Sequence, residues 1–507
     1  IFTAIAEETG LAGSLALLGL LGIFFMRGLR AALRAGSTYQ RYLAAGITAY
    51  MGSQAILIIG GNLRTLPLTG VTLPFLSYGG SSLLIAYLAL FFLLESSNSI
   101  DEQADIPKPP ASYQVLASLI LGALALLGLS AGYWGYFRSG DLQTRNDNAR
   151  RAISDRYVRR GAILDRGDRV ISASSGEPGN YTRTLSYPPL SPVVGYSSAF
   201  YGQAGLEESY DGYLRGLEGT PASDIWLNHL VYAQNPPGLD IRLSIDLNLQ
   251  EKADRLLQGR VGALVLMNAN SGEILAMATS PTFDANQLEA NWETWKADPD
   301  GPFLNRAVQG KYLPGASLGV FLLPAAEDAG FDFSTPPPSL ENHSLAGTNS
   351  CAFLPADFKS WPDAIANGCP TPAAELLNAV EGGQGLFVSR LAWNRSPDLP
   401  LKPAPNPNAS SASNTLLGPV ISPLQMVLPS AAISNGGEMP APRLVTAIHT
   451  PEAGWVALPT GENQRAFSSN AASETARALA INSLPIWEAV SEIRAGRQNY
   501  AWYLSGT

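Results

Sequence analysis

Lysine, histidine and cysteine are all scarce in this sequence of 507 residues. Acidic residues outnumber basic ones by 42 to 33, and the formal net charge of -9 excludes the basic surface that a nucleic-acid partner requires. The three histidines, His229, His343 and His449, are far apart and lack the spacing of metal ligands. The sequence therefore predicts neither a nucleic-acid partner nor a metal site.

Only two cysteines occur, Cys351 and Cys369. Both fall in the part of the chain that we place outside the cell, where a disulfide persists. Their spacing permits a bridge without requiring one. A disulfide and two buried, small apolar side chains are therefore equal alternatives at this point.

Long apolar runs are confined to the first 137 residues, and the remainder has the composition of a soluble protein. A membrane-spanning helix needs about 20 predominantly apolar residues. The segments that approach or reach this length are Gly10–Met26, Leu43–Gly61, Gly79–Leu94 and Val115–Tyr136. We therefore predict four transmembrane helices rather than four buried core helices.

Charge predicts the orientation of these helices. The loop after the first helix has no acidic residue and is rich in arginine, so the positive-inside rule places it in the cytoplasm. Its arginines are Arg27, Arg30, Arg34 and Arg41. Helix parity then puts the acidic, proline-rich linker 95–112 inside the cell and everything after about residue 140 outside.

The loop 66–82 combines two prolines and three glycines with a Ser-Tyr-Gly-Gly-Ser-Ser run at the start of the third helix. Irregular backbone at membrane depth is tolerated only where protein buries it or where it lines a cavity. The free N–H groups of a helix N-terminus suit an anionic group. From these residues alone, an anion site and a packed re-entrant loop without a ligand are equal alternatives.

This run, together with Ala6–Gly10 and Arg27–Arg30, closely resembles the signature of the SEDS family, the RodA and FtsW proteins. The resemblance covers residues 1 to about 98 and implies a polymerase that builds glycan strands from lipid II at the bacterial cytoplasmic membrane. It implies as partners lipid II, nascent glycan strands, the membrane, and other proteins of elongation or division. The substrate-binding residues that it implies are Glu7, Glu8, Thr69, Pro74, Ser77, Tyr78, Gly79, Gly80 and Ser81. For Glu7 and Glu8, helix capping or an ion pair is an equal alternative.

In the SEDS family an essential acidic residue lies just before the position matched here by Ile1 and Phe2. We therefore expect this chain to be a fragment that retains the last three family helices and lacks the catalytic carboxylate. The resemblance allows a divalent cation at the polymerase, but we expect no cofactor in this chain.

A second resemblance begins after the fourth helix. The runs Arg159–Arg166 and Gly205–Asp211 look like the N-terminal pedestal of class B penicillin-binding proteins, and Leu243–Asp246 looks like the entry to their transpeptidase fold. Residues 261–278 contain two apolar strands around a polar turn, which predicts a hairpin. This second resemblance covers nearly all of residues 113–507.

The expected fold class is multidomain: a polytopic α-helical membrane part, a single anchor helix, a mixed α+β pedestal, and an α/β transpeptidase-like domain of the penicillin-binding and serine β-lactamase type. The predicted divisions are a SEDS-like membrane domain at 1–98, a cytoplasmic linker at 99–112, an anchor helix at 113–137, a dimerisation or pedestal domain at 138–240 and a transpeptidase-like domain at 241–507. We expect the last domain to stop before the final strand and helix of the family fold.

The transpeptidase chemistry of the family requires a Ser-x-x-Lys motif at a helix N-terminus, where the lysine assists removal of the serine proton. The matching stretch places Ala316 at the nucleophile position and Gly319 at the lysine position. Ser317 is a neighbouring hydroxyl, but Val320 rather than a base follows it by three residues. None of the six lysines in the chain has a serine three residues before it.

Two further family motifs are also degenerate. The Ser-x-Asn motif falls on Gly368-Cys369-Pro370, which offers neither a hydroxyl nor an amide side chain. The Lys-Thr/Ser-Gly motif falls on Trp487-Glu488-Ala489 or, alternatively, on Leu504-Ser505-Gly506. Neither placement supplies the cation that would hold a substrate carboxylate.

The sequence therefore predicts a protein of peptidoglycan synthesis at the cytoplasmic membrane, in which a glycan polymerase is fused to an inactive transpeptidase-like module with a regulatory or scaffolding role. Two alternatives are open. One is an active bifunctional glycosyltransferase and D,D-transpeptidase that binds penicillin, with Ser317 as its nucleophile. The other is a non-enzymatic scaffold that binds the cell wall.

Overall fold

The structure is a computed structural model, which describes residues 2–67, 70–98, 111–138, 156–198, 200–221, 223–225, 227, 235–338, 350–352, 360–380, 383–402, 420–481, 484–495 and 498–507. Only the backbone is described for Glu7, Glu8, Asn98, residues 383–386, Arg494, Ala495 and Gln498. The chain forms two compact units, Ile1–Ala149 and Arg150–Thr507.

The first unit contains α1 (Phe2–Arg34), α2 (Thr38–Asn62), α3 (Gly80–Asn98) and α4 (Ala111–Gly132). Each has a stretch long and apolar enough to cross a membrane, which confirms the prediction of four spans. Helices α1 and α2 are longer than the predicted apolar runs. In both, the helical backbone includes the arginine-bearing segment at the cytoplasmic end. Helix α4 continues as a π-helix over Tyr133–Phe137.

Glycines allow the anchor helix α4 to approach α1 and α2 closely. A Cβ atom added at Gly52 of α2 would lie 3.2 Å from Cδ1 of Ile120, and one added at Gly22 of α1 would lie 3.8 Å from Cδ1 of Leu124. Ile120 and Leu124 are both buried in the core of this unit. Small residues at helix contacts are the usual means by which membrane helices pack closely. The anchor helix therefore belongs to the same bundle as the SEDS-like helices.

The second unit is a mixed α/β structure. Its strands are β1 (Ile163–Leu164), β2 (Val170–Ser175), β3 (Thr182–Leu185), β4 (Tyr196–Ser198), β5 (Gly202–Ala204), β6 (Ile241–Leu243), β7 (Gly262–Met267), β8 (Ile274–Ser280), β9 (Glu438–Met439), β10 (Val445–Thr450), β11 (Gly454–Ala457), β12 (Gln464–Arg465), β13 (Trp487–Ala495) and β14 (Gln498–Gly506). Its α-helices are α5 (Ser191–Val194), α6 (Gly205–Ser209), α7 (Asp211–Leu214), α8 (Leu247–Leu257), α9 (Leu288–Ala297), α10 (Arg306–Gln309), α11 (Gly319–Asp328), α12 (Trp361–Ala366), α13 (Pro370–Ala379), α14 (Gly383–Arg390), α15 (Pro423–Ser434) and α16 (Ser469–Ala478). Short 3-10 helices span Pro188–Leu190, Ala285–Gln287 and Gly315–Leu318.

A six-stranded sheet in the order β11-β10-β6-β1-β2-β3 crosses the predicted boundary between the pedestal and the transpeptidase-like domain. Strand β1 pairs antiparallel with β2 and parallel with β6, so that Ile163 lies opposite both Ser172 and Ile241. Ile163 and Ile241 are fully buried in one core. The two predicted domains therefore share a sheet and its hydrophobic core.

Asp165 ties the pedestal to the first helix of the transpeptidase-like region. Its buried carboxylate accepts hydrogen bonds from the backbone N–H groups of Gly167, Arg169 and Leu247, and it pairs with the Arg169 guanidinium at 2.8 Å. Burial on its own would raise the pKa of Asp165, but the hydrogen bonds from Arg169, Gly167 and Leu247 together outweigh burial and lower that pKa. The ionised carboxylate is therefore the form that holds this joint.

The predicted hairpin around residues 261–278 is confirmed, because β7 and β8 pair antiparallel with Ala263 opposite Thr279. Strands β13 and β14 form a second antiparallel hairpin. Both hairpins pack against helix α15. A second hydrophobic core includes Phe321 of helix α11, Ile365 of α12 and Trp393. The positions of the degenerate motifs lie around this core.

Candidate functional site

The nucleophile position of the family lies in a short helical turn in the second unit. The 3-10 helix Gly315–Leu318 runs directly into α11, which gives the helix N-terminus that the motif requires. Ala316 is fully buried in this turn and carries only a methyl group. The hydroxyl of Ser317 is buried beside it and donates a hydrogen bond to the carbonyl oxygen of Pro314. The turn thus keeps the backbone of the motif without the nucleophile.

The space beside Gly319, the lysine position, is filled. A Cβ atom added at Gly319 would lie 2.6 Å from Cδ1 and 3.0 Å from Cγ2 of Ile365, and 3.4 Å from Cβ of Ala373. Ile365 on α12 is only 1% exposed and Ala373 on α13 is fully buried, so neither has solvent into which to retreat. A lysine at this position would have to displace a core isoleucine.

Gly368, the first position of the degenerate Ser-x-Asn motif, packs against strand β13. Its φ is +62°, a backbone conformation that favours glycine. An added Cβ atom would lie 2.5 Å from the carbonyl oxygen of Val490 and 2.8 Å from Cβ of Ser491. Pro370, the third position, opens helix α13 and has no amide to offer. Backbone conformation and main-chain contact therefore both disfavour a serine at residue 368.

Cys369, between these two positions, forms a disulfide with Cys351, and the two Sγ atoms are 2.10 Å apart. Of the two alternatives that the sequence leaves open, the structure shows the disulfide rather than two separate buried cysteines. Cys369 is fully buried and packs with Ala364. The backbone N–H of Ala352 donates to the carbonyl oxygen of Asn367 at 2.8 Å. The bridge and this hydrogen bond together fix the loop that precedes α13.

Strand β13 packs against the turn that carries Ala316. The first predicted placement of the third motif, Trp487-Glu488-Ala489, begins this strand, and Trp487 and Ala489 are buried. The second placement, Leu504-Ser505-Gly506, ends β14, with Gly506 paired to Trp487. Both placements lie on one hairpin, and neither contains a basic side chain.

Two aromatic residues of β14 hold the segment that leads to Ala316. The Trp502 indole N–H donates to the carbonyl oxygen of Leu313 at 2.9 Å, and the Tyr500 hydroxyl accepts from the N–H of Leu313 at 2.6 Å. Burial raises the pKa of Tyr500, so its hydroxyl keeps its proton and also donates to the Leu313 carbonyl at 3.2 Å. The structure therefore brings the degenerate motif positions together as a packed, hydrogen-bonded core.

The predicted polymerase loop in the first unit is described in part. Thr69 and the side chains of Glu7 and Glu8 lie outside the described residues. The Ser77 hydroxyl accepts a hydrogen bond from the N–H of Leu73 at 2.7 Å, which closes the turn before α3. Tyr78 is fully exposed. Ser77 therefore has a local structural partner.

The remaining predicted loop residues lie at the start of α3. Gly79 precedes the helix and Gly80 is its first residue. Pro74 and Ser81 line a cavity between α2 and α3. The structure thus places two of the predicted substrate-binding residues in one cavity wall.

Sequence reasoning missed the residues that complete these two regions. In the cavity wall, the hydroxyls of Thr72 and Ser82 lie 2.6 Å apart and the Gln54 amide donates to Thr72 at 3.3 Å. In the second unit, Ile365 and Ser491 close the space around the degenerate motifs. A clue existed for Thr72 and Ser82, which belong to the polar loop, but no local pattern marks Ile365 or Ser491. Among the described residues, no group of three or more His, Cys, Asp or Glu side chains converges on a metal position.

Three family matches divide the chain. Residues 1–102 match the family described as a cell cycle protein of the FtsW/RodA/SpoVE type. Residues 160–240 match the penicillin-binding protein A dimerisation domain, and residues 262–335 match the penicillin-binding protein transpeptidase domain. The last match includes both Ala316 and Gly319.

Individual relatives agree with this division. The peptidoglycan D,D-transpeptidase PbpA of Mycolicibacterium smegmatis is 26% identical over 70% of this chain and 78% of its own length. The peptidoglycan glycosyltransferase RodA of Mycobacterium bovis is 43% identical over 19% of this chain, which spans only 21% of that protein. The imipenem acyl-enzyme structure of penicillin-binding protein A from M. tuberculosis covers 70% of this chain and 91% of its own, at 22% identity and a TM-score of 0.58, which shows a common fold.

The predicted fold class is therefore confirmed: a polytopic helical membrane part is followed by a penicillin-binding-protein fold. The chain is a membrane protein whose later part lies outside the membrane. It carries an FtsW/RodA-type (SEDS) domain joined to penicillin-binding-protein dimerisation and transpeptidase domains, and it is a protein of peptidoglycan synthesis.

Proposed function

We propose that the second unit is a transpeptidase-like module without transpeptidase activity, which serves the FtsW/RodA-type domain as a regulatory or scaffolding partner. The observation that carries this proposal is the environment of Ala316 and Gly319. Neither the nucleophile nor its base is present, and Ile365 fills the space where a base would lie. Loss of a catalytic nucleophile and base costs many orders of magnitude in rate, about 10⁶-fold in a measured serine hydrolase.

Contacts within the membrane unit support the partner role. The anchor helix α4 packs on both α1 and α2, with Gly52 facing Ile120 and Gly22 facing Leu124. A covalent link holds the module and the membrane helices at a high effective concentration, so the module needs no affinity of its own to stay engaged. The module acts in this proposal through packing and attachment rather than through acyl transfer.

The proposal for the membrane domain is that it contributes to glycan-strand polymerisation from lipid II, together with other proteins of elongation or division. It rests on the likeness to the peptidoglycan glycosyltransferase RodA and on the cavity wall formed by Pro74 and Ser81. Because this chain spans about a fifth of that relative, the likeness supports a contribution to the activity.

The direct test is labelling of the full-length protein, in membranes, with a fluorescent penicillin. We expect no covalent label, because there is no serine at residue 316 to acylate. Penicillin-binding protein A of M. tuberculosis serves as the positive control, since it forms an acyl-enzyme with a β-lactam. Label on this protein that disappears in Ser317→Ala would overturn the proposal and establish the active bifunctional alternative.

A further inference from the structure

The cytoplasmic ends of α1 and α2 carry a stripe of arginines. Arg27, Arg30 and Arg34 are spaced by three and four residues, which places them on one face of α1, and all three are exposed. Arg41 lies in the first turns of α2 and is half-buried. These four residues are called the arginine stripe below.

The stretch of sequence that carries the stripe has no acidic residue. The sequence contains no Asp or Glu between residues 9 and 94. Among the described residues, none of the four arginines makes an ion pair, and Nε of Arg41 is buried without a hydrogen-bond partner. A buried guanidinium N–H without an acceptor is costly, and an anionic oxygen is the acceptor that suits it best.

A cavity of about 640 Å³ runs between α2 and α3, and its lining on α2 begins at the residue that follows Arg41. Tyr42 and Leu43, directly after Arg41, form its cytoplasmic end, and Ile47 and Met51 continue along α2. Ile85 and Ala89 of α3 form part of the other wall. None of the residues that line this cavity carries a charge, so the cavity itself suits an apolar occupant.

The length of the cavity matches one leaflet of a bilayer. From Leu43 to Gln54 the helix rises about 16 Å at 1.5 Å per residue, which is about half of a 30 Å hydrocarbon core. The far end is lined by Thr72, Ser82 and Gln54, whose hydroxyls and amide form hydrogen bonds with one another. A hydrocarbon chain that enters at the cytoplasmic interface would therefore end before it reaches these polar side chains.

We propose that the arginine stripe and the α2–α3 cavity together bind one anionic phospholipid of the inner leaflet. The phosphate lies against the arginine stripe, Arg41 included. A guanidinium group can donate two parallel hydrogen bonds to phosphate oxygens. One acyl chain lies in the cavity between Leu43 and Ala89. A zwitterionic lipid of equal chain length fills the cavity but gains less from the arginines.

The test is native mass spectrometry of the full-length protein released from mixed detergent micelles that contain equal amounts of phosphatidylglycerol and phosphatidylcholine with the same chains. We expect about five-fold or greater enrichment of phosphatidylglycerol, the factor that one juxtamembrane basic residue contributes. The paired variant Arg34→Lys with Arg41→Lys keeps the charge that orients the helices and attracts anionic lipid but loses the forked donors, so the enrichment should fall while staying above unity.

The cavity is tested separately. A Cβ atom added at Gly46 meets nothing within 4 Å, so Gly46→Phe fills the cavity, whereas Gly19→Phe on α1, also in open space, is the matched control. Gly46→Phe should lower retention of both lipids several-fold, and Gly19→Phe should leave it unchanged. If Gly46→Phe does not fold by thermal melting, Ala89→Phe takes its place. Equal retention of the two lipids by the unaltered protein, or unchanged retention after the cavity is filled, would overturn the proposal.

The linker acids Asp101, Glu102 and Asp105, which lie outside the described residues, are the alternative partner of the stripe. Their joint replacement by amides should leave the enrichment of phosphatidylglycerol unchanged. An enrichment that emerges only after this replacement would assign the stripe to the linker and overturn the lipid proposal.

Discussion

Gly319 and Ile365 are in direct contact across 46 residues of sequence: a Cβ atom at Gly319 would lie 2.6 Å from Cδ1 of Ile365. The sequence predicts that position 319 corresponds to the catalytic lysine of the family, and Ile365 fills the space beside it. Because Ile365 belongs to the buried core, this contact contributes to folding.

The first prediction concerns this contact. Gly319→Lys should lower the free energy of unfolding by about 1–3 kcal/mol, the usual cost of overpacking a core. Ile365→Ala alone should cost about 2–5 kcal/mol. The double variant should cost less than the sum of the two, since the smaller side chain makes room for the larger. Urea unfolding of the three variants measures this, and simple additivity would contradict the contact.

The second prediction concerns Gly368. Gly368→Ser should destabilise the protein more than Gly436→Ser does. Both glycines have positive φ, so both variants bear the left-handed penalty of about 1–2 kcal/mol. Only at Gly368 does the new Cβ atom meet main-chain atoms, at 2.5 Å from the Val490 carbonyl oxygen, whereas at Gly436 the nearest atom is Ser469 Oγ at 3.4 Å. Equal melting temperatures for the two variants would show that the loop does not press on β13.

The third prediction concerns the disulfide. The bridge between Cys351 and Cys369 closes a sequence separation of 18 residues. A loop of this length corresponds to about 3 kcal/mol of stabilisation through the unfolded state. The joint Cys351→Ala and Cys369→Ala variant should therefore melt at a lower temperature. A reductant should lower the melting temperature of the unaltered protein and leave that of the variant unchanged. If the reductant does not change the melting temperature of the unaltered protein, the disulfide is contradicted.

The fourth prediction concerns the anchor helix. Gly52→Leu should push Ile120 away and separate α4 from α2, with a loss of melting temperature in detergent. Gly19→Leu is the matched control, because a Cβ atom there meets nothing within 4 Å. If attachment to the bundle is how the module regulates polymerisation, glycan synthesis by the full-length protein should fall in Gly52→Leu alone. Equal synthesis by both variants would leave the scaffold alternative.

The fifth prediction concerns pH. The pKa of Asp165 is lowered in the folded protein, so the folded value lies below the unfolded value of about 3.9. Its stabilisation is therefore fully present above the unfolded pKa and is lost as the pH falls through the folded pKa. The difference in unfolding free energy between the unaltered protein and Asp165→Asn should be constant between pH 5 and 7 and should shrink at lower pH. Asp168→Asn, which removes an exposed partner of Arg242, should change stability little at any pH. If the difference in unfolding free energy between the unaltered protein and Asp165→Asn grows as the pH falls, the lowered pKa of Asp165 is contradicted.

Much of this architecture was predictable from the sequence because its signals are local. The four spans follow from runs of apolar residues, and the β7–β8 hairpin follows from two apolar strands around a polar turn. The absence of a nucleophile at Ala316 and of a base at Gly319 is also a local statement, since the motif lies within four residues.

Other features depend on contacts between distant residues and leave no local pattern. Ile365 reads as an ordinary helical apolar residue until α12 is packed against α11. The pairing of β1 with β6 joins residues that are 78 apart, Ile163 and Ile241, so the sequence divided one sheet into two domains. The sequence shows the arginines of the stripe, but on their own they predict only the orientation of the helices. The cavity next to Arg41 becomes evident only in the structure.

The sheet shared by β1–β3 and β6 constrains how such a protein can change over evolutionary time. Strands β1–β3 of the pedestal continue through β1 into β6 and β10 of the neighbouring region, so this sheet is completed by strands from outside the pedestal. Substitutions at the motif positions can leave this sheet and its core intact. Deletion of β6 and β10 would expose the edge of β1 and the core on which the pedestal is built, so the transpeptidase-like region supports the pedestal structurally, whatever its activity.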